Sequence, residues 1–335
     1  MGKRSRRRSW VLAAAALVAL ALGAGAGAGT CSSGRELVVH FYDVAQGLAV
    51  LVDLPDGHHV LVDTGDSAHR SGCGDVCGVA ERHLLDRLRA DLAGAPIDVL
   101  WITHPHSDHV GAAADVLDAF RVGLLVDNGR DARKAEVERA HRAAEAHGVP
   151  VRTVDPDRPG WPGPAFAGVT VRTVVPPQWP AGCSHDENEC SVGLRIDFCT
   201  SSVLLTGDAE HAEEAVLDGL SPVSLLQVAH HGSATSTSPA FLSRTRPRYA
   251  VISAGHPNEG VNAGYCLPRA LVVQRLTRVL GGAGVGTLPA FDGDRCDGAT
   301  ASDWIAVPTS DRLWATERDG DVVLVTRGDG VFQRQ

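Results

Sequence analysis

The 335-residue chain sets 31 Lys and Arg against 40 Asp and Glu, a formal net charge of −9. A body this acidic argues against indiscriminate nucleic-acid binding through a basic surface, while leaving room for a local basic groove. Its 44% hydrophobic and 21% charged residues argue against a disordered chain and suit a folded soluble enzyme of one or two domains, with no internal repeat.

Met1 to Trp10 holds five basic residues and no acid, Val11 to Leu22 is apolar and Ala-rich, and Gly23 to Gly29 contains only small residues. This order predicts an export signal over residues 1–30, with an apolar core short for a membrane span. Arg7-Arg8-Ser9-Trp10-Val11 resembles a twin-arginine signal. Lipid anchoring at Cys31 and an uncleaved signal anchor are the lesser alternatives. Residues 35–335 are expected to form a single domain, more acidic still once the leader is gone. Export makes disulfides the default for the eight cysteines. Cys73 and Cys77 flank a Gly-rich turn and suit a pair; Cys183 with Cys190 and Cys266 with Cys296 are further pairings. A zinc reading of Cys73-x-x-x-Cys77 lacks a second pair nearby.

Leu37 to Val44, Leu48 to Leu54 and His59 to Val62 read as strands of a meander, turning at Pro55-Asp56-Gly57. Val79 to Leu92 has helical apolar spacing. Ile97 to Ile102 is a short apolar strand that delivers His104, His106, Asp108 and His109. Val110 to Phe120 reads as helix, Val122 to Val126 as strand, and Ala132 to Ala146 as a charged helix stopped by Gly148 and Pro150. Asp155 to Pro180 is rich in Pro and Gly and reads as a long irregular connection. Val192 to Phe198 and Ser202 to Leu205 form a hairpin leading to Thr206-Gly207-Asp208, and Ala209 to Leu217 follows as helix. Ser224 to Ala229 is a strand ending in His230-His231-Gly232-Ser233. Tyr249 to Ser253 is another strand, Pro268 to Leu280 a helix, and Leu313 to Phe332 two short strands around Asp319-Gly320. Two packed sheets covered by helices fit this order.

Imidazole and carboxylate together suit zinc and related divalent ions. In extended chain, His104 and His106 share one face, while Asp108 and His109 lie where the chain turns into a helix. Asp208 and the His230-His231 pair also end predicted strands. Ligand-type residues at three strand ends are hard to explain as polar loop decoration, although Gly207-Asp208 alone is a common turn. Ser233 suits a turn or helix cap. There is no Gly-x-Ser-x-Gly elbow and no Walker or dinucleotide glycine pattern.

The run His104-x-His106-x-Asp108-His109 and the segment Leu205-Thr206-Gly207-Asp208 resemble the signature and bridging-aspartate motifs of the metallo-β-lactamase superfamily. Further blocks are similar to the soluble metallo-hydrolase domain of the ComEC competence proteins. They are His40-Phe41-Tyr42-Asp43-Val44-Ala45-Gln46-Gly47, Leu61-Val62-Asp63-Thr64-Gly65, His230-His231-Gly232-Ser233 and Arg312 to Gly330. The resemblance implies an α/β fold, the four-layer αββα sandwich, with one or two divalent metal ions, zinc or manganese, between the sheet edges. His104 and His106 would bind one metal, Asp108 and His109 the other, and Asp208 would bridge them. One of His230 and His231 would complete the second site, its neighbour contacting substrate. Asp63 would orient a ligand histidine. Where most members carry a ligand histidine before the hairpin, this chain has Asn188-x-x-Ser191, with His185 nearby, and Tyr265-Cys266-Leu267-Pro268 replaces a His-Pro element. The first metal site is therefore one protein ligand short.

The implied mechanism is attack by water activated on the metal, with Asp108, Asp208 and His231 the candidate catalytic residues. The leading expectation is an exported metal-dependent hydrolase of phosphoesters, acting on a small phosphoester or on nucleic acid. Hydrolysis of a β-lactam, lactone or thioester, and a non-catalytic binding protein with a degenerate site, are the alternatives. No stable membrane domain is expected beyond the leader.

Overall fold

The computed structural model describes residues 35–131, 133–156 and 163–335. The export signal, Cys31 and the first residue of the helix expected from Ala132 lie outside the described residues.

The first sheet is laid down by Leu37–Phe41 (β1), Val50–Asp53 (β2), His59–Val62 (β3), Val99–Trp101 (β4), Leu125–Asp127 (β5) and Val151–Thr153 (β6). Thr170–Val174 (β7), Gly193–Phe198 (β8), Ser201–Leu205 (β9), Leu225–Gln227 (β10) and Tyr249–Ile252 (β11) build the second. Gly284–Phe291 (β12) and Trp304–Ser310 (β13) form a separate hairpin. Leu313–Ala315 (β14) then returns to the second sheet, and Val322–Thr326 (β15) and Gln333–Arg334 (β16) return to the first. The first sheet runs β16-β15-β1-β2-β3-β4-β5-β6, and the second β14-β11-β10-β9-β8-β7.

The layering follows from side chains alternating across each strand. Val50 and Val52 of β2, Val60 and Val62 of β3, and Val99 and Trp101 of β4 pack with Val203 and Leu205 of β9, Leu225 of β10 and Val251 of β11. The intervening Leu51, Leu61 and Leu100 point the other way. They meet Leu84 and Leu88 of the helix Val76–Leu92 (α1), with residues of Ala113–Ala119 (α3) and Ala135–Ala146 (α4). The short helix Ser107–Val110 (α2) lies between α1 and α3 in the chain. On the far side, Leu204, Leu226, Ala250 and Ile252 meet Phe241 and Leu242 of Pro239–Thr245 (α6), Val272, Val273 and Leu276 of Ala270–Leu280 (α8), and the β12–β13 hairpin. His211–Val216 (α5), Asn262–Tyr265 (α7) and Thr316–Asp319 (α9) are short. The result is the expected helix–sheet–sheet–helix sandwich.

Three differences from the sequence expectation stand out. The helix expected over Val110 to Phe120 is broken into α2 and α3. The interruption falls at Ala112, with φ −94° and ψ 9°, next to Gly111, where a Cβ would lie 2.2 Å from the Ser67 amide nitrogen and only glycine lets the two backbones touch. The connection Asp155 to Pro180 is not wholly irregular: β7 lies in it, antiparallel to β8. The β12–β13 hairpin has no counterpart in the sequence reading. The two tail strands expected around Asp319-Gly320 are present as β14, which runs parallel to β11, and β15, which runs antiparallel to β1.

Strands β3 to β6 are mutually parallel, as are β9, β10, β11 and β14. Their carboxyl ends deliver Asp63, the Thr103–His109 run, Asp208 and the His230-His231 pair, and loops beyond such strand ends are where α/β sheets place ligands.

Candidate metal centre

Asp63 follows β3 with a positive φ of 58° and is fully buried. Its Oδ1 accepts from the Thr103 amide at 2.8 Å, and its Oδ2 accepts from the Thr103 hydroxyl and from His109 Nδ1, each at 2.7 Å. The carboxylate thus accepts a hydrogen bond from His109 Nδ1, which directs Nε2 away from it. His109 Nε2 has no hydrogen-bond partner and lies 3.2 Å from Asp208 Oδ2.

The second sheet supplies the opposing donors. Gly207 takes a φ of +58°, and a Cβ there would meet the Thr103 hydroxyl oxygen at 2.6 Å. Only glycine lets the Thr206-Gly207-Asp208 turn reach the first sheet's loop. Gln227 braces this turn, accepting from the Thr206 amide at 2.8 Å and donating to the Gly207 carbonyl at 3.0 Å. The Asp208 amide donates to Ser191 Oγ at 3.2 Å. His230 and His231 have φ of 49° and 53°, so these adjacent side chains diverge. His231 turns inward. Its Nδ1 donates to the Ser253 carbonyl at 2.8 Å, and its unpartnered Nε2 lies 3.3 Å from both Asp108 Oδ2 and Asp208 Oδ2.

Asp108, His109, Asp208 and His231 therefore offer one ligand atom each, all within 4.8 Å of one another. Three buried atoms of this set, His109 Nε2, His231 Nε2 and Asp208 Oδ1, lack any hydrogen bond. Buried polar atoms left bare are costly unless an ion or water meets them. Two imidazole nitrogens and two carboxylates are a donor set that suits a divalent transition metal. Burial disfavours charge here, yet opposite charges prevail. Against burial, Asp208 and Asp63 hold His109 well above the ordinary range. His231 is pushed up to about 10, the Asp208 and Asp108 carboxylates outweighing burial. The Asp108 and Asp208 carboxyls are lowered, for burial is outweighed by His109 and His231.

His104 and His106 lie outside this four-residue set and face each other, His104 Nε2 being 3.0 Å from His106 Nδ1. Burial, reinforced by His109, holds His104 well below its ordinary range. His106 Nε2 contacts Glu187 Oε2 at 2.8 Å, and Lys134 reaches the other Glu187 oxygen at 3.1 Å. His230 sits on the rim, with Nδ1 2.9 Å from Glu210 Oε1 and Nε2 3.9 Å from Asp208. Asn188 Nδ2 lies 3.4 Å from His230 Nε2, on the rim rather than among the four donors. His185 is exposed and makes only a backbone turn bond to Gly182. The sequence reading did not single out Thr103, Glu187, Glu210 or Gln227, whose roles depend on contacts between distant loops.

The cluster opens into a cleft of about 910 Å³, whose walls include His69, Arg70, Lys134, Tyr265 and Leu267. Arg70 donates to the Tyr265 hydroxyl at 2.9 Å. Disulfides Cys73–Cys77, Cys183–Cys190 and Cys266–Cys296 each lie beside a wall loop, matching the three expected pairings. Cys199 is also disulfide-bonded.

This fold and this arrangement of strand-end donors define a metallo-hydrolase scaffold, and residues 42–256 match the model of the metallo-beta-lactamase superfamily, to which the chain belongs. Two curated relatives narrow the resemblance. Recombination protein 2 of Haemophilus influenzae is 32% identical over 238 residues, covering 70% of this chain and 26% of that protein. ComE operon protein 3 of Bacillus subtilis is 29% identical over 250 residues, covering 72% of this chain and 30% of that protein. The chain thus spans less than a third of the length of these relatives. Among solved structures, the metallo-beta-lactamase fold protein YhfI from Bacillus subtilis is 16% identical, with a TM-score of 0.37 over 57% of this chain and 70% of that one. Among the described residues no helix is long and apolar enough to cross a membrane.

Proposed function

We propose that this chain is an exported, metal-dependent hydrolase of phosphoesters, with a phosphodiester of DNA the first substrate to test. The observation that carries the reading is the set of bare donors, His109 Nε2, His231 Nε2 and Asp208 Oδ1, gathered with Asp108 at the foot of an open cleft. Asp108, His109, Asp208 and His231 are assigned as holders of one divalent cation, zinc or manganese, and His104 and His106 form a two-imidazole position beside it. Such a cation supplies hydroxide from water near neutral pH and offsets charge developing in the transition state.

The chain's own groups do the remaining work. Asp63 and the Ser253 carbonyl fix the tautomers of His109 and His231. Asp108 or Asp208 would accept a hydrogen bond from the attacking water and orient it. His230, half-exposed beside Glu210, is placed to touch substrate in the cleft. Arg70 and Lys134 in the walls can meet an anionic substrate once a bound cation offsets the carboxylates of Glu136, Asp186 and Glu210 that line the same cleft. The names of the relatives, a recombination protein and a competence operon protein, direct the first assay to DNA phosphodiesters. The disulfides support export, since they persist in oxidising compartments.

The test compares bis(4-nitrophenyl) phosphate with nitrocefin, each with and without chelator. The expected result is phosphodiester turnover abolished by chelator and restored by zinc or manganese. Asp108→Ala and His104→Ala should lose that turnover. Full activity in both variants, or turnover of nitrocefin alone, refutes the reading.

A further inference from the structure

We propose that Glu187 is a positioning residue that fixes the His106 ring so that His106 Nδ1 and His104 Nε2 together hold a second divalent cation. This rests on the metallo-hydrolase reading above and adds a residue outside the superfamily motifs matched in the sequence.

The argument follows the protons. Asp63 Oδ2 can only accept, so the Thr103 hydroxyl donates to it at 2.7 Å. The Thr103 oxygen is left to accept from His104 Nδ1 at 3.1 Å. His104 therefore carries its proton on Nδ1 and presents a lone pair at Nε2. Glu187 Oε2 is likewise an acceptor, so at 2.8 Å it draws the His106 proton onto Nε2. His106 then presents a lone pair at Nδ1. The two bare nitrogens face each other at 3.0 Å. Two lone pairs this close repel unless positive charge stands between them, and a divalent cation meets both at once.

Glu187 is itself held. Lys134 grips its second oxygen at 3.1 Å, and the loop carrying it is closed by the Cys183–Cys190 disulfide. With no histidine in the family's third-ligand position, the strength of the two remaining imidazoles matters more. A carboxylate on the far nitrogen of a ligand histidine fixes its orientation and raises its basicity.

The experiment titrates the metal-free protein with Co2+, followed by calorimetry and visible absorption, for the unchanged chain, Glu187→Ala and Glu187→Gln. The unchanged chain should take up two ions. Glu187→Ala should bind the first as before and the second about 10–100-fold more weakly. Glu187→Gln, whose amide oxygen still accepts from Nε2, should recover most of that loss. The Glu187 side chain is 31% exposed, so the metal-free melting temperature should not move. Two ions bound with unchanged affinity by Glu187→Ala, or a single ion taken up by the unchanged chain, would overturn this inference and leave the hydrolase reading standing. Uptake of no ion would overturn both.

Discussion

Replacing Asp63 by asparagine tests whether His109 is a metal ligand oriented from behind. The fully buried carboxylate accepts from the Thr103 amide, the Thr103 hydroxyl and His109 Nδ1. Asp63→Asn keeps an acceptor oxygen for the Thr103 amide but turns an amide NH2 toward His109 Nδ1 at 2.7 Å. That contact is satisfied only if Nδ1 gives up its proton, which then moves to Nε2, the atom that must be bare to bind a cation. Loss of such support weakens metal binding about 10–100-fold, equivalent to roughly 1.4–2.7 kcal/mol. Exchanging charged for neutral hydrogen bonds costs roughly 1 kcal/mol for each bond, which keeps the expected loss within the roughly 5–15 kcal/mol of a typical domain. Competition titration with a chromogenic chelator measures affinity, and long-range 15N NMR of the imidazoles reports which nitrogen carries the proton. Unchanged affinity with the proton on Nε2 would refute the reasoning.

Further outcomes follow from the same geometry. Gly207→Ala should destabilise the fold by roughly 1–2 kcal/mol for its left-handed backbone alone, and by more once the 2.6 Å approach to Thr103 is counted; an unchanged urea midpoint would contradict this. In chelated protein, burial opposes charge on His231, but Asp208 and Asp108 raise it from 6.5 to about 10. Its stabilising contribution is complete below pH 6.5 and is lost as the pH rises toward 10. Asp208 is depressed from 3.8, so its contribution is present above pH 3.8 and lost as the pH falls further. The melting temperature of chelated protein should thus be highest between pH 3.8 and 6.5. Added zinc should remove the alkaline decline, because it takes the place of the His231 proton. A flat alkaline limb in the chelated protein would sink this account.

Strands β1 to β4 and β8 to β11 were legible in the sequence because each is an apolar run or a strict alternation bounded by turn residues. β7 was not: only Val171 and Val174 of its five residues are buried, and it lies in a stretch dominated by Pro and Gly. The break between α2 and α3 falls at Ala112, beside the close approach of Gly111 to the backbone of Ser67, a contact no local pattern encodes. The His104–His109 run and Asp208 were visible as strand-end donors because their residue types stand out. Which of His230 and His231 turns inward was not visible, since it is decided by two successive left-handed residues. Glu187 was passed over for Asn188 and His185 beside it. A lone glutamate in a loop carries no signal until the fold brings His106 to it.

The four donors divide evenly between the two leaves of the sandwich: Asp108 and His109 follow β4, while Asp208 and His231 follow β9 and β10. An ion seated among them is a fastener across the seam, so its capture and the closing of the leaves share one free energy. Stripping the ion should then be felt beyond the reaction centre, as faster amide exchange along the rims of both leaves while the hydrophobic interior between them stays shut.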